Sequence, residues 1–142
     1  MGYVHTEITI RNYGDVLMAK RGLIAESEVH YVTVTAMVDS GAYTLAINEE
    51  MRKSLGLEIS GNMIAELADG TVDNFPMTEA VDIHWKNRKF TCPALLLPNS
   101  SEALMGVLPL EGMDLMINPV KQELTGVHGD MELYKLKRFD KE

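Results

Sequence analysis

The chain has 142 residues, 46% hydrophobic and 24% charged, which is the balance of an ordinary globular protein. That length closes a hydrophobic core without help from disulfides or a structural metal, and one domain over 1–142 is the expectation. Thirteen basic against twenty-one acidic residues leave a formal charge of -8, which argues against a general nucleic-acid or anionic-membrane surface.

Cys92 is the only cysteine, so an internal disulfide framework is excluded and a reducing compartment is indicated. The opening residues hold no apolar core of secretory-signal length, and no apolar run reaches the roughly 18 residues of a spanning helix. A soluble cytoplasmic protein is therefore expected.

In chain order, Val4 to Arg11 alternates apolar and polar residues as a strand does. Asn12-Tyr13-Gly14-Asp15 is a turn cluster, Val16 to Lys20 is poorly patterned, and Gly22 to Ser27 is expected to begin a hairpin partner for the next strand. Glu28 to Val38 carries the strongest strand signal, rich in β-branched residues and apolar on both faces toward its end, as an internal strand is. Asp39-Ser40-Gly41-Ala42 breaks it. A short apolar run, Leu45 to Ile47, leads to Asn48, a good N-cap for a helix over 49–55 that Gly56 closes.

Leu57 and Ile59 restart extended structure before an expected turn at Ser60-Gly61-Asn62. Met63 to Leu67 and Val72 to Ala80 read as a hairpin with Asp69-Gly70 at its tip. Val81 to Trp85 and Phe90 to Leu97 form the next pair around a basic turn, Lys86-Asn87-Arg88-Lys89, expected to be solvated. Ala103 to Leu110 encloses Gly106; short elements come next at 115–117, 123–126 and 131–136, and the charged tail 135–142 ends the chain. Many short strands, frequent glycine and proline and a short helix describe an all-β domain, closed or sandwiched.

The chemistry centres on Asp39-Ser40-Gly41, where a hydrophobic strand delivers an acid into a turn of small residues. Burying even half of a carboxylate is costly unless specific donors stabilise it. Ser40 offers a hydroxyl, and Gly41 lets backbone N–H groups come close. On these three residues alone, an aspartate that merely caps a turn is the favoured reading, because Asp-Ser-Gly is a frequent turn tripeptide.

The context is more specific. The strand Val32–Val38 precedes the motif, Ala42-Tyr43-Thr44-Leu45 comes directly after it, and Leu104-Met105-Gly106 lies later, ahead of Met116-Ile117-Asn118-Pro119. In this order of motifs, from about Val29 to Leu124, the chain resembles the retropepsin-like aspartic proteases, particularly their bacterial single-domain members. The resemblance implies a closed β-barrel of acid-protease type with a short helix after the second motif. It also implies a core over 29–124, with residues 1–28 as an N-terminal extension.

Asp39 would be the catalytic acid, supported by Ser40, Gly41, Ala42 and Gly106. Ala68, Asp69, Gly70 and Thr71 would lie in a flap, roughly 66–74, that closes over an extended peptide. One chain carries one such motif, so the resemblance implies a symmetric homodimer pairing two Asp39 carboxylates, with neither metal nor cofactor. Tyr43 and Val107 depart from the small or polar residues common at those places.

Two other readings stay open. The same fold can bind a peptide or partner strand without catalysis, or Asp39 can be exposed and unpaired in a purely structural β protein. No CxxC or HExxH spacing links Cys92 with His5, His30, His84 or His128, and Cys92 reads as a small buried hydrophobe. Ser40 does not sit in a Gly-x-Ser-x-Gly elbow, which argues against a serine hydrolase.

Overall fold

The computed structural model describes residues 3–67, 69–98, 101–130 and 132–133. Expectations that fall on Ala68 and on the tail 135–142 lie outside the described residues. Strand β1 (Val4–Asn12) buries Val4, Ile8, Ile10 and Asn12 on one face, as a period of two requires. It pairs antiparallel with β2 (Tyr31–Val38), from Val4 opposite Val38 to Arg11 opposite Tyr31.

Helix α2 (Glu49–Leu55) comes after β3 (Leu45–Ile47) and is bounded as its sequence predicts. The Asn48 side chain accepts from the Met51 N–H at 2.9 Å, and Gly56 closes the helix in the left-handed region at φ 64°. The next hairpin, β4 (Ile59–Glu66) and β5 (Val72–Trp85), turns at Asp69 and Gly70, whose φ of 86° suits only glycine comfortably. β5 then pairs with β6 (Arg88–Leu96). The last elements are β7 (Leu104–Met105), α3 (Val107–Gly112), β8 (Leu115–Asn118) and β9 (Glu123–Gly126).

Seven strands form one mostly antiparallel sheet in the order β1-β2-β7-β3-β6-β5-β4, and β1 also pairs with β5. The sheet thus curls until its pairings run in a ring, with β4 attached outside it. Ile8, Ile10, Val38, Leu45, Ile47, Val81, Ile83 and Met105 fill the interior. A smaller cluster of Ala46, Phe75 and Leu95, joined by Met63, Ala65, Met77, Leu97 and Leu104, packs the hairpin β4–β5 against β3, β6 and β7.

Helix is more extensive than the sequence predicts. Tyr13–Lys20 is a helix, α1, where a turn and an unpatterned stretch are expected. It buries only Asp15 and Val16, so no apolar stripe announces it. Polar ties hold it instead. Asn12 accepts from the Asp15 N–H at 3.1 Å while its amide donates to Leu55 O at 2.9 Å, and the Asp15 carboxylate accepts from the His30 N–H at 3.0 Å. The expected hairpin partner at 22–27 gives way to a 3₁₀ turn, Glu26–Glu28.

The expected turn at Ser60-Gly61-Asn62 is strand, with only a register shift between Ile59 and Gly61. A second shift, between Met77 and Ala80, is held by the buried Thr78 hydroxyl, which donates to Glu79 O at 2.7 Å and accepts from the Ala94 N–H at 3.1 Å. The basic turn is also different from expectation. Lys86 and Lys89 are exposed, but Trp85 is buried and Arg88 is only 2% exposed. Among the described residues, no helix is long and apolar enough to cross a membrane.

Candidate active site

β7 is the organising piece. It lies between β2, which it pairs in parallel (Met37 with Leu104, Val38 with Met105), and β3, which it pairs antiparallel (Leu45 with Met105). The chain leaving β2 must therefore loop around β7 to enter β3, and residues 39–44 are that loop. Met37 N–H donates to Ala103 O at 2.8 Å and Asp39 N–H to Met105 O at 3.0 Å, so the acid leaves the sheet at a fixed point.

The loop's carbonyls meet the start of α3. Gly106 N–H donates to Thr44 O at 3.1 Å, Val107 N–H to Ala42 O at 2.9 Å and Leu108 N–H to Tyr43 O at 2.8 Å. Donors that a helix start leaves unpaired are thereby matched to acceptors that a sharp loop leaves unpaired. A Cβ at Gly106 would stand 2.5 Å from Ala42 O and 2.7 Å from Thr44 O, so only glycine fits this approach.

Within the loop, the Gly41 N–H donates to Asp39 Oδ1 at 2.8 Å and the Ala42 N–H to Asp39 O at 3.0 Å. One carboxylate oxygen is thus anchored, and no hydrogen bond to the other is found among the described residues. Asp39 is half-buried; Ser40 and Gly41 are exposed. The Ser40 hydroxyl likewise has no hydrogen-bond partner among the described residues. Tyr43 is 62% exposed, yet the bond from Leu108 fixes its backbone. Beside it, buried Thr44 turns inward toward Cys92, whose thiol is pushed up to about 11 by burial, a shift that hydrogen bonding with Thr44 and Leu45 only partly offsets.

At the hairpin tip, the Thr71 N–H and hydroxyl donate to Asp69 Oδ1 at 3.0 and 2.6 Å. These bonds, the hydroxyl's foremost, hold the Asp69 carboxyl below its ordinary range, and they make it a builder of the turn. Leu67 N–H to Thr71 O at 2.8 Å and Gly70 N–H to Leu67 O at 2.9 Å complete the tip.

Asp39, Gly41, Ala42 and Gly106 therefore come together in one hydrogen-bonded unit, with Ser40 exposed in the same loop but outside its bonds, while Asp69, Gly70 and Thr71 form a separate tip carried by β4 and β5. Sequence reasoning did not single out Thr44, although its carbonyl accepts from Gly106 and its side chain meets Cys92 of β6. Its only signal was a polar residue between the motif and a fully buried strand. No group of three or more histidine, cysteine or carboxylate side chains placed to hold a metal is found among the described residues.

The fold recurs in solved structures. The retroviral protease-like domain of Ddi1 from Leishmania major superimposes with a TM-score of 0.55 at 16% identity, over 88% of this chain and 88% of that one, a likeness of fold. A retropepsin-like aspartic protease from Rickettsia conorii matches at a TM-score of 0.42 and 18% identity, over 83% of this chain and 89% of that one. No curated protein sequence matches. The family model for gag-polyprotein putative aspartyl protease matches residues 25–116, from ahead of β2 through β8's second residue, and so takes in both the Asp39 loop and Gly106. With most of its length matched by that model, the chain belongs to this family of retropepsin-like aspartic proteases.

Proposed function

We propose that the protein is an aspartic endopeptidase that works as a symmetric homodimer, with one Asp39 from each copy at a shared centre. The observation that carries this reading is the half-buried Asp39 carboxylate, held by the Gly41 N–H through one oxygen while the other has no partner among the described residues. Two such carboxylates brought together by a twofold axis cannot both ionise comfortably and share one proton.

The ionised member takes a proton from water as its oxygen attacks the peptide carbonyl carbon. The protonated member gives its proton to the carbonyl oxygen. Collapse of the tetrahedral adduct breaks the C–N bond as the amine nitrogen is protonated. No covalent enzyme intermediate forms. The Gly41 N–H supports the acid, the exposed Ser40 lies between them in the loop, Ala42 leaves room beside it, and Gly106 lets the second loop pass close.

The tip at residues 66–74 serves as the flap that excludes water. Substrate lies extended beneath it, with main-chain hydrogen bonds supplying affinity and alternate side chains entering apolar pockets. The test is cleavage of a diverse peptide library across about pH 4 to 8, because a shared proton gives the rate both an acid and a basic limit. Wild type is expected to cleave and Asp39→Asn to be inactive but still dimeric. Cleavage that survives the substitution sinks the reading. A folded wild-type dimer that binds peptides but cuts none, at any pH, establishes noncatalytic peptide binding instead.

A further inference from the structure

We propose that His5 and Glu102 form a specificity-determining pair beside Asp39, and that the cleft takes peptides carrying a lysine or arginine within two positions of the cut bond. The proposal rests on the peptidase reading for the cut itself. The charge preference is also readable as binding alone.

The strand registers place one continuous row of residues across the sheet. Met77 lies beside Leu95, Leu95 beside Ala46, Ala46 beside Leu104, Leu104 beside Met37 and Met37 beside His5. The hairpin β4–β5 packs over Ala46, Leu95 and Leu104, so the row occupies the face of the sheet that the flap covers. Side chains alternate along a strand, so Asp39, two residues past Met37, leaves the sheet on this same face. One strand spacing and two residues of rise separate His5 from Asp39, about 8 Å between α-carbons.

A carboxylate ends the row. His5 Nε2 donates to Glu102 Oε1 at 2.7 Å, and the two side chains are 42% and 46% exposed. No hydrogen bond to Glu102 Oε2 is found among the described residues, so this oxygen is open to a ligand. A lysine or arginine side chain can lay its methylene stem along Met37 and Leu104 and donate to Glu102 at its tip.

The charge around the site is one-sided. Residues 1–10, 22–51, 54–85 and 90–120 contain no lysine or arginine, and they supply β2, the Asp39 loop, β3, β4, β5, β7 and α3. Arg11 and Arg52, at the borders of these segments, are engaged by Asp82 and Glu49. On the hairpin, exposed Asp73 lies beside Ala65 and shares the face of Phe75, two residues further along. Carboxylates thus stand on the sheet and on the flap with no fixed cation between them. Such a field draws in a cationic peptide and repels an acidic one. A pair that only fastened β1 to the segment ahead of β7 would affect stability and leave the choice of peptide unchanged.

The experiment scans lysine, norleucine and glutamate through each position of one apolar peptide, using the full chain. The readout is kcat/KM where wild type cuts, and affinity by fluorescence anisotropy where it does not. We expect wild type to favour lysine over norleucine by about tenfold at one position, the size of a charge-assisted hydrogen bond, and to disfavour glutamate there. Glu102→Gln keeps an acceptor for His5 and should lose most of that preference. Glu102→Lys should turn the preference toward glutamate. Thermal melts show whether each variant is folded.

Equal treatment of the three residues by wild type at every position overturns the inference. So does a lysine preference that both Glu102 variants retain. If either occurs while Asp39-dependent cleavage persists, the peptidase reading stands and the substrate class falls. If the Glu102-dependent preference is found in binding and nothing is cut, the catalytic reading fails alone. A protein that neither cuts nor binds any of the peptides overturns both.

Discussion

The carbonyl oxygen of Ala42 and the α-carbon of Gly106 are so close that a Cβ on Gly106 would stand 2.5 Å from that oxygen. The neighbour is backbone in a loop tied down by three hydrogen bonds from the start of α3, so it has little freedom to retreat. Gly106→Ala is expected to cost about 1–3 kcal/mol by overpacking, read as a lower urea midpoint with an unchanged slope. Cleavage should fall further than stability does, because any relaxation displaces the loop that carries Asp39. An alanine variant with wild-type midpoint and wild-type turnover would show that this close approach is not required.

Cys92 should be inert in the native protein. It is 4% exposed, and burial has moved its thiol up to about 11, so at pH 8 only about a thousandth is thiolate, against a free-thiol value near 8.5. Alkylation by iodoacetamide is expected to wait for unfolding, with a labelling rate that rises steeply through the urea transition. Rapid stoichiometric labelling of the folded chain would contradict the packing of Thr44 and Cys92 between the motif loop and β6.

Sequence legibility tracked the range of the interactions involved. Asn48 and Gly56 bracket a helix with groups a few residues apart, and Asp69-Gly70 marks its turn through Gly70's own backbone preference, so both were readable locally. The meeting of Asp39-Ser40-Gly41 with Gly106 was legible only because the motifs occur in a familiar order. Nothing in either segment alone says that β7 will slide between β2 and β3. Helix α1 was missed because Asn12, Asp15 and His30 hold it by polar bonds that leave no hydrophobic period. Arg88 was misread for a related reason. Its carbonyl partners at 113, 114 and 129 lie far along the chain, and a run of three basic residues in four looks solvated until they arrive.

Arg88 supports a third prediction. With its guanidinium 2% exposed and donating to three carbonyls, replacing it by methionine leaves those acceptors buried and removes a cation near Asp114. Arg88→Met is expected to destabilise the chain by about 2–4 kcal/mol. Lysine should rescue only part of this, since one ammonium lacks the planar fork that reaches both feet of the β8–β9 hairpin. Thermal melts of the three proteins check it, and a methionine variant within about 0.5 kcal/mol of wild type, the range of an ordinary surface substitution, would remove Arg88 as the hairpin's clamp.

Asp114 sets the response of the same region to acid. Burial alone would raise its carboxyl, but bonds from His128 Nδ1 at 2.9 Å and the Leu133 N–H at 3.2 Å, with the nearby charges of His128 and Arg88, hold it below its ordinary 3.8. A carboxyl lowered in the folded state contributes stability that is complete above its unfolded value and is lost as pH falls through the folded one. The loss attributable to Asp114 therefore begins near pH 4 and deepens below it. The Glu49 and Asp69 carboxyls are lowered too, by Arg52 and Thr71, and contribute with the same sign, so the informative quantity is a difference between two proteins. An asparagine in place of Asp114 keeps the positive φ of 56° at little cost, because that residue type also tolerates the left-handed region. Asp114→Asn should lower the melting temperature at pH 6 and narrow the gap to wild type steadily from pH 4 toward pH 2.5. A gap that stays constant over that range would mean that the carboxylate's ionisation plays no part in holding the β8–β9 hairpin to the core.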